Sequence, residues 1–133
     1  MSLVNVSEAA HLALHSLVIV AKNAPERITV KRLAEELDAS QAHLAKVFQK
    51  LSKSGVVTSV RGPAGGFVLN RSVEGISFID IYEIIDGKVN REGCPLGKGS
   101  CPFMDCIFSG ELKRMTNEIY NSFSKMLLSD YLK

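Results

Sequence analysis

Cys94, Cys101 and Cys106 are the only cysteines in the chain, and they fall within one short stretch. The residues around them, Gly93-Cys94-Pro95-Leu96-Gly97-Lys98-Gly99-Ser100-Cys101-Pro102, are rich in glycine and proline. A structural cysteine ordinarily packs as a small apolar side chain inside a regular element, and this stretch suits neither helix nor strand. Thiolates gathered on one loop read as ligands of a metal ion or cluster, or as a redox site. Three Cys plus one His is also a structural zinc set, although no Cys-x-x-Cys pair is present. A metal-free thiol switch is the further reading, because exposed thiolates near Lys98 are oxidisable.

Something must position such a loop. The chain has 133 residues, which fits one compact domain or a small domain plus an oligomerisation element. Hydrophobic residues make up 46% and charged residues 23%, enough apolar matter to bury a core. No apolar run approaches the roughly 20 residues of a membrane span. Leu12 to Ala21 is interrupted by His15 and Ser16, and no basic segment precedes it. The expectation is a cytoplasmic protein in a reducing compartment, with no membrane partner and no disulfide framework. The net charge of +2 says little until it is mapped. No acidic residue lies between Asp38 and Glu74, while Lys46, Lys50, Lys53, Arg61 and Arg71 do. That segment reads either as a face for an anionic partner or as an ordinary solvated surface.

The periodicity predicts a helix capped by Ser7 and running to about Lys22, with Leu14, Leu17, Val18 and Ala21 on one face. Asn23-Ala24-Pro25 ends it. Thr29 caps a short second helix with Val30, Leu33, Ala34 and Leu37 inward, and Asp38-Ala39 is a tight connection. Ser40 caps a third, with Leu44, Val47, Phe48 and Leu51 inward and Gly55 closing it. Residues 56–60 read as a strand, 61–66 as a turn and 67–69 as the return strand. Ser77 caps a fourth helix, Phe78 to Asp86, stopped by Gly87. From about Glu111 to Tyr131 a long helix carries a narrow stripe, Leu112, Met115, Ile119, Phe123 and Met126. A stripe of this kind suits a partner helix and so a homodimer, or packing onto its own domain.

Helix, helix, tight turn, helix, hairpin is the order of a winged helix-turn-helix. The third helix is then the recognition helix. Gln41 can pair bidentately with adenine, and His43 can donate or accept at a base edge. Lys46, Lys50 and Lys53 suit phosphates, which fix register without choosing sequence. Arg61 opens the wing, where a long cation can enter a minor groove, and Gly62, Pro63, Gly65 and Gly66 shape its tip. The expected partner is a double-stranded DNA operator. No paired acid and base stands near the cysteines, so an enzyme is not expected.

Leu33-Ala34, Ser40 with Leu44, Leu51-Ser52-Lys53-Ser54-Gly55-Val56-Val57 and Arg61-Gly62-Pro63-Ala64-Gly65-Gly66-Phe67-Val68-Leu69 resemble the Rrf2 family of bacterial winged-helix regulators. The Arg-Gly-Pro-x-Gly-Gly wing is the most specific piece, and the resemblance covers nearly the whole chain. It implies a mainly α fold with a small β-hairpin wing: a DNA-binding domain over 1–75, a short helix and cysteine sensor loop over 76–110, and a dimerisation helix over 111–133. It also implies a homodimeric transcription regulator whose operator affinity is controlled by an iron–sulfur cluster, with two irons or four, on Cys94, Cys101 and Cys106. The family's cluster-binding members space these cysteines evenly; here the gaps hold six and four residues, a shift that Gly97-Lys98-Gly99 can absorb. One branch of the family takes a fourth ligand three residues after the last cysteine, a position that is Ser109 here. Other branches imply a ligand on the first helix. Matching that helix by its Leu12-Ala13-Leu14 pattern selects His11, with Glu8 and His15 as alternatives. A cluster-free regulator of the same fold, responding to a thiol oxidant, a small molecule or a partner enzyme, is the alternative the family also implies.

Overall fold

Ser7, Thr29, Ser40 and Ser77 each accept a backbone amide at a helix start, from Ala10, Arg32, His43 and Asp80 respectively. These caps set the frame. The computed structural model describes residues 4–63, 65–91, 94 and 101–132. Within them run α1 (Glu8–Asn23), α2 (Val30–Leu37), α3 (Gln41–Lys53), β1 (Val57–Val60), β2 (Gly66–Leu69), a 3-10 turn (Val73–Gly75), α4 (Phe78–Asp86), α5 (Glu111–Lys125) and a second 3-10 turn (Leu128–Tyr131). The fold is mainly α with one antiparallel β1–β2 hairpin. No helix of the described residues is long and apolar enough to cross a membrane.

The α2–α3 connection is tight because Asp38 takes a left-handed conformation (φ 51°) and the Ala39 amide donates to Ala34 O at 2.9 Å. Aspartate tolerates that region better than most residues. At the far end of α3 the Val56 amide donates to Leu51 O and the Gly55 amide to Ser52 O, with Gly55 at φ 78°. This pairing satisfies carbonyls the helix leaves open and turns the chain into β1.

Val57 pairs with Leu69 and Val60 with Gly66. The free edge of β2 has a further partner that the periodicity does not reveal. Ile28 bridges Phe67, with Ile28 N–H donating to Phe67 O at 3.2 Å and Phe67 N–H to Ile28 O at 2.7 Å. This approach requires glycine at 66: a Cβ there would stand 2.6 Å from Ile28 O, and φ is 141°.

One cluster of buried side chains joins Ala13, Leu17 and Val20 of α1, Leu33 of α2, Leu44, Phe48 and Leu51 of α3, Ile81 and Ile85 of α4, and Leu128. The C-terminal helix is shorter than the expected Glu111 to Tyr131: α5 stops at Lys125 and Met126 is extended. Phe78 N–H donates to Met126 O at 2.8 Å and Leu128 N–H to Ile76 O at 3.0 Å, which draws Leu128 into the core at 0% exposure. The backbone pairing and the burial of Leu128 compensate for the helical turns given up. Further back on the stripe, Phe123 packs edge-on against Phe78 and Tyr82, so this end seats on its own domain.

Candidate functional site

Leu44, Val47, Phe48 and Leu51 fix α3 by burying one face. The opposite arc carries Ala42, Lys46, Gln49 and Lys53, and Gln41 stands at the N-terminal end of the helix, all exposed. Gln49, between Lys46 and Lys53 on the outward arc, is a further candidate that the sequence reading passes over. A signal for it exists: it lies seven residues after Ala42, two helical turns along the same face. Ser40 spends its hydroxyl oxygen on the His43 amide at 3.2 Å. Two candidates lie on the edge of α3 rather than at its centre. The His43 ring is half-buried with Nδ1 4.0 Å from Glu8 Oε1, and Lys50 Nζ donates to Ile85 O at 2.9 Å. Arg61, Gly62 and Pro63 are exposed at the wing tip, where the Gly65 amide donates to Gly62 O at 2.9 Å.

Cys94, Cys101 and Cys106 are free and exposed. The root of their segment is clasped to α5: the Arg91 guanidinium lies over the Tyr120 ring at 4.0 Å and donates to Asn117 Oδ1 at 2.9 Å. Asn117 Nδ2 returns a bond to Arg91 O. Cys106 stands where α5 begins. The backbone amides of Gly110 and then Phe108 hold the thiol below its ordinary value, against an opposing effect of burial, with Ser109 contributing least. Ser109 and Gly110 have positive φ, 51° and 78°, a curl that turns successive amides inward. Gly110 offers α5 no side-chain cap. The thiol stands just ahead of the N-terminal end of α5, the helix end that favours an anion. Gly97, Lys98 and Gly99, expected to absorb the uneven cysteine spacing, lie outside the described residues.

The three α1 candidates do not act as one set. His11 and His15 have ring centroids 5.9 Å apart, and both line an apolar groove of about 500 Å³ with Val18, Phe123, Met126 and Tyr131. His15 Nδ1 lies 2.7 Å from His11 O. A carbonyl only accepts, so Nδ1 carries the hydrogen, and in the neutral ring Nε2 keeps its lone pair for a metal. Glu8 turns instead toward His43. Among the described residues no three His, Cys, Asp or Glu side chains are gathered closely enough to hold a metal ion.

A helix-turn-helix with a glycine-tipped hairpin beside its recognition helix defines a winged-helix DNA-binding regulator. Comparison with known proteins makes that class specific. A family model described as "Rrf2: Iron-dependent Transcriptional regulator" matches residues 6–133, and the chain belongs to this family. A putative HTH-type transcriptional regulator of Aquifex aeolicus is 32% identical over 129 residues, covering 95% of this chain and 90% of the relative. The HTH-type transcriptional regulator IscR of Cereibacter sphaeroides is 35% identical over 61% of this chain, and the match spans 52% of that relative's length. The solved structure of CymR, the global cysteine regulator of B. subtilis, superposes with a TM-score of 0.81 at 20% identity, over 98% of this chain and 97% of that one. The T. potens IscR structure gives 0.78 at 24% identity, over 97% and 86%. At such identities these two structures establish the fold alone.

Proposed function

We propose that this regulator acts as a homodimer on an operator duplex, and that its affinity is set by an iron–sulfur cluster held by Cys94, Cys101 and Cys106. His11 is the fourth ligand of this reading, with His15 and Glu8 as the alternatives. The observation that carries it is the donor set. Three free, exposed thiols share one segment, and the last is held toward its thiolate form by backbone amides of the turn just before α5. Thiolate sulfur is the donor iron–sulfur clusters take, with imidazole able to replace it on an iron. When bound, such a group would supply a redox-sensitive or nitric-oxide-sensitive link.

Gln41 and Arg61 serve base and groove readout in this reading, which His43 joins only from the helix edge, with Ser40, Gly62, Pro63, Gly65 and Gly66 shaping the approach. Lys46 and Lys53 meet phosphates. The segments 1–75, 76–110 and 111–133 are then reader, sensor and dimer parts built on one shared core. Leu112, Met115 and Ile119 of α5 form the dimer contact, since Met115 is 46% exposed and Ile119 is 37% exposed. The test is anaerobic purification followed by iron and acid-labile sulfide analysis. The cluster reading expects both in the protein and neither in Cys101→Ala. Absence of both from the wild-type protein favours a second reading, in which exposed Cys106, with its lowered pKa, is itself the oxidant-sensitive group.

A further inference from the structure

Lys50 stands on the recognition helix, where a basic residue would ordinarily be taken for a phosphate contact. The geometry points to a different role: Lys50 is a positioning residue that struts the recognition helix against the root of the cysteine segment.

The helix itself separates the two roles. At about 100° per residue, Lys46, Gln49 and Lys53 lie near the middle of the exposed arc of α3. His43 and Lys50 are seven residues apart, two turns, and share the edge that abuts α1 and α4. Both are engaged there. His43 faces Glu8 of α1, and Lys50 Nζ donates to Ile85 O in the last turn of α4. That carbonyl belongs to a helix end which leaves its last acceptors open and carries partial negative charge. The last turn of α4 has no basic residue of its own, and Asp86 adds a negative charge. Lys50 supplies from α3 the cation that α4 lacks. A second bond locks the same corner: Ser7, the cap of α1, donates from Oγ to Asp86 Oδ1 at 2.9 Å. The next residues, Gly87 to Arg91, lead directly to Cys94. The start of α1, the recognition helix and the base of the sensor segment therefore meet at one joint. A displacement of the loop root reaches α3 through Lys50. This regulatory consequence rests on the proposed function; the positioning role does not.

The experiment measures the affinity of the full-length protein for a duplex selected from a random-sequence pool, across a range of salt concentrations. It compares wild type with Lys50→Met, Lys50→Arg and Lys46→Met. Each lost phosphate contact lowers the log-log salt slope by about 0.9. Lys46→Met should show that loss. Lys50→Met should bind several-fold more weakly at every salt concentration with the wild-type slope, and Lys50→Arg, which keeps a cationic donor, should recover affinity. A slope reduced in Lys50→Met as in Lys46→Met overturns the proposal, as does a Lys50→Met protein with wild-type affinity. Repeating the titration on anaerobic and iron-depleted protein tests the joint: the ratio between the two forms should shrink in Lys50→Met. A wild-type protein with no such ratio sinks the cluster reading, while the salt slopes still decide the role of Lys50.

Discussion

Cys106 is the residue on which the chemistry turns. Its sulfur is exposed, so its reactivity follows its protonation, and three backbone amides favour the thiolate. Alkylation of Cys106 in iron-free protein, followed by peptide mass spectrometry across pH, should therefore have its midpoint below that of the same thiol in denatured protein. A midpoint at or above that value contradicts the amide cradle. Stability depends on the same protonation. The folded value lies below the unfolded one, so the thiolate contribution is complete above the unfolded value and is lost as pH falls through the depressed folded value. The three cysteines and their loop are legible from composition alone. The cradle is not, because it depends on positive φ at Ser109 and Gly110, and serine in that conformation has no sequence signature.

The elements are more fully legible. Ser7, Thr29, Ser40 and Ser77 announce their helices because a cap is a local interaction, satisfied within three residues. The rung between Ile28 and Phe67 and the return of Leu128 onto Ile76 escape a sequence reading for the opposite reason: each joins segments far apart in the chain. The truncation of α5 at Lys125 follows from the second of these. Gly66→Ala would force a side chain into positive φ and against Ile28 O, where local strain alone costs about 1–3 kcal/mol. Thermal unfolding should show a lowered midpoint, and DNA affinity should fall with the displaced wing. An unchanged midpoint would mean that the Ile28 rung is not a fixed part of the hairpin. Ser77→Ala removes one half of a reciprocal cap with Asp80 and should cost about 0.5–2 kcal/mol in a denaturant titration.

At the scale of the whole molecule, one core joins α1 to α4 with the hairpin and Leu128, while α5 lies against it with no buried residue of its own. The stripe on α5 divides accordingly: Phe123 seats on α4, while Met115 and Ile119 remain open. Ile119→Glu should give a folded monomer by sedimentation; a variant that sediments with the wild type places the contact elsewhere. Dimerisation would also set two recognition helices about one helical turn of DNA apart. In the proposed function a cluster on the cysteine segment sets operator affinity. Its most direct test is the affinity of anaerobically purified protein for a selected duplex before and after iron chelation, with Cys101→Ala alongside. Chelation should change the wild-type affinity at least several-fold, and Cys101→Ala should match the chelated protein in both conditions. Equal wild-type affinities before and after verified loss of iron would contradict it.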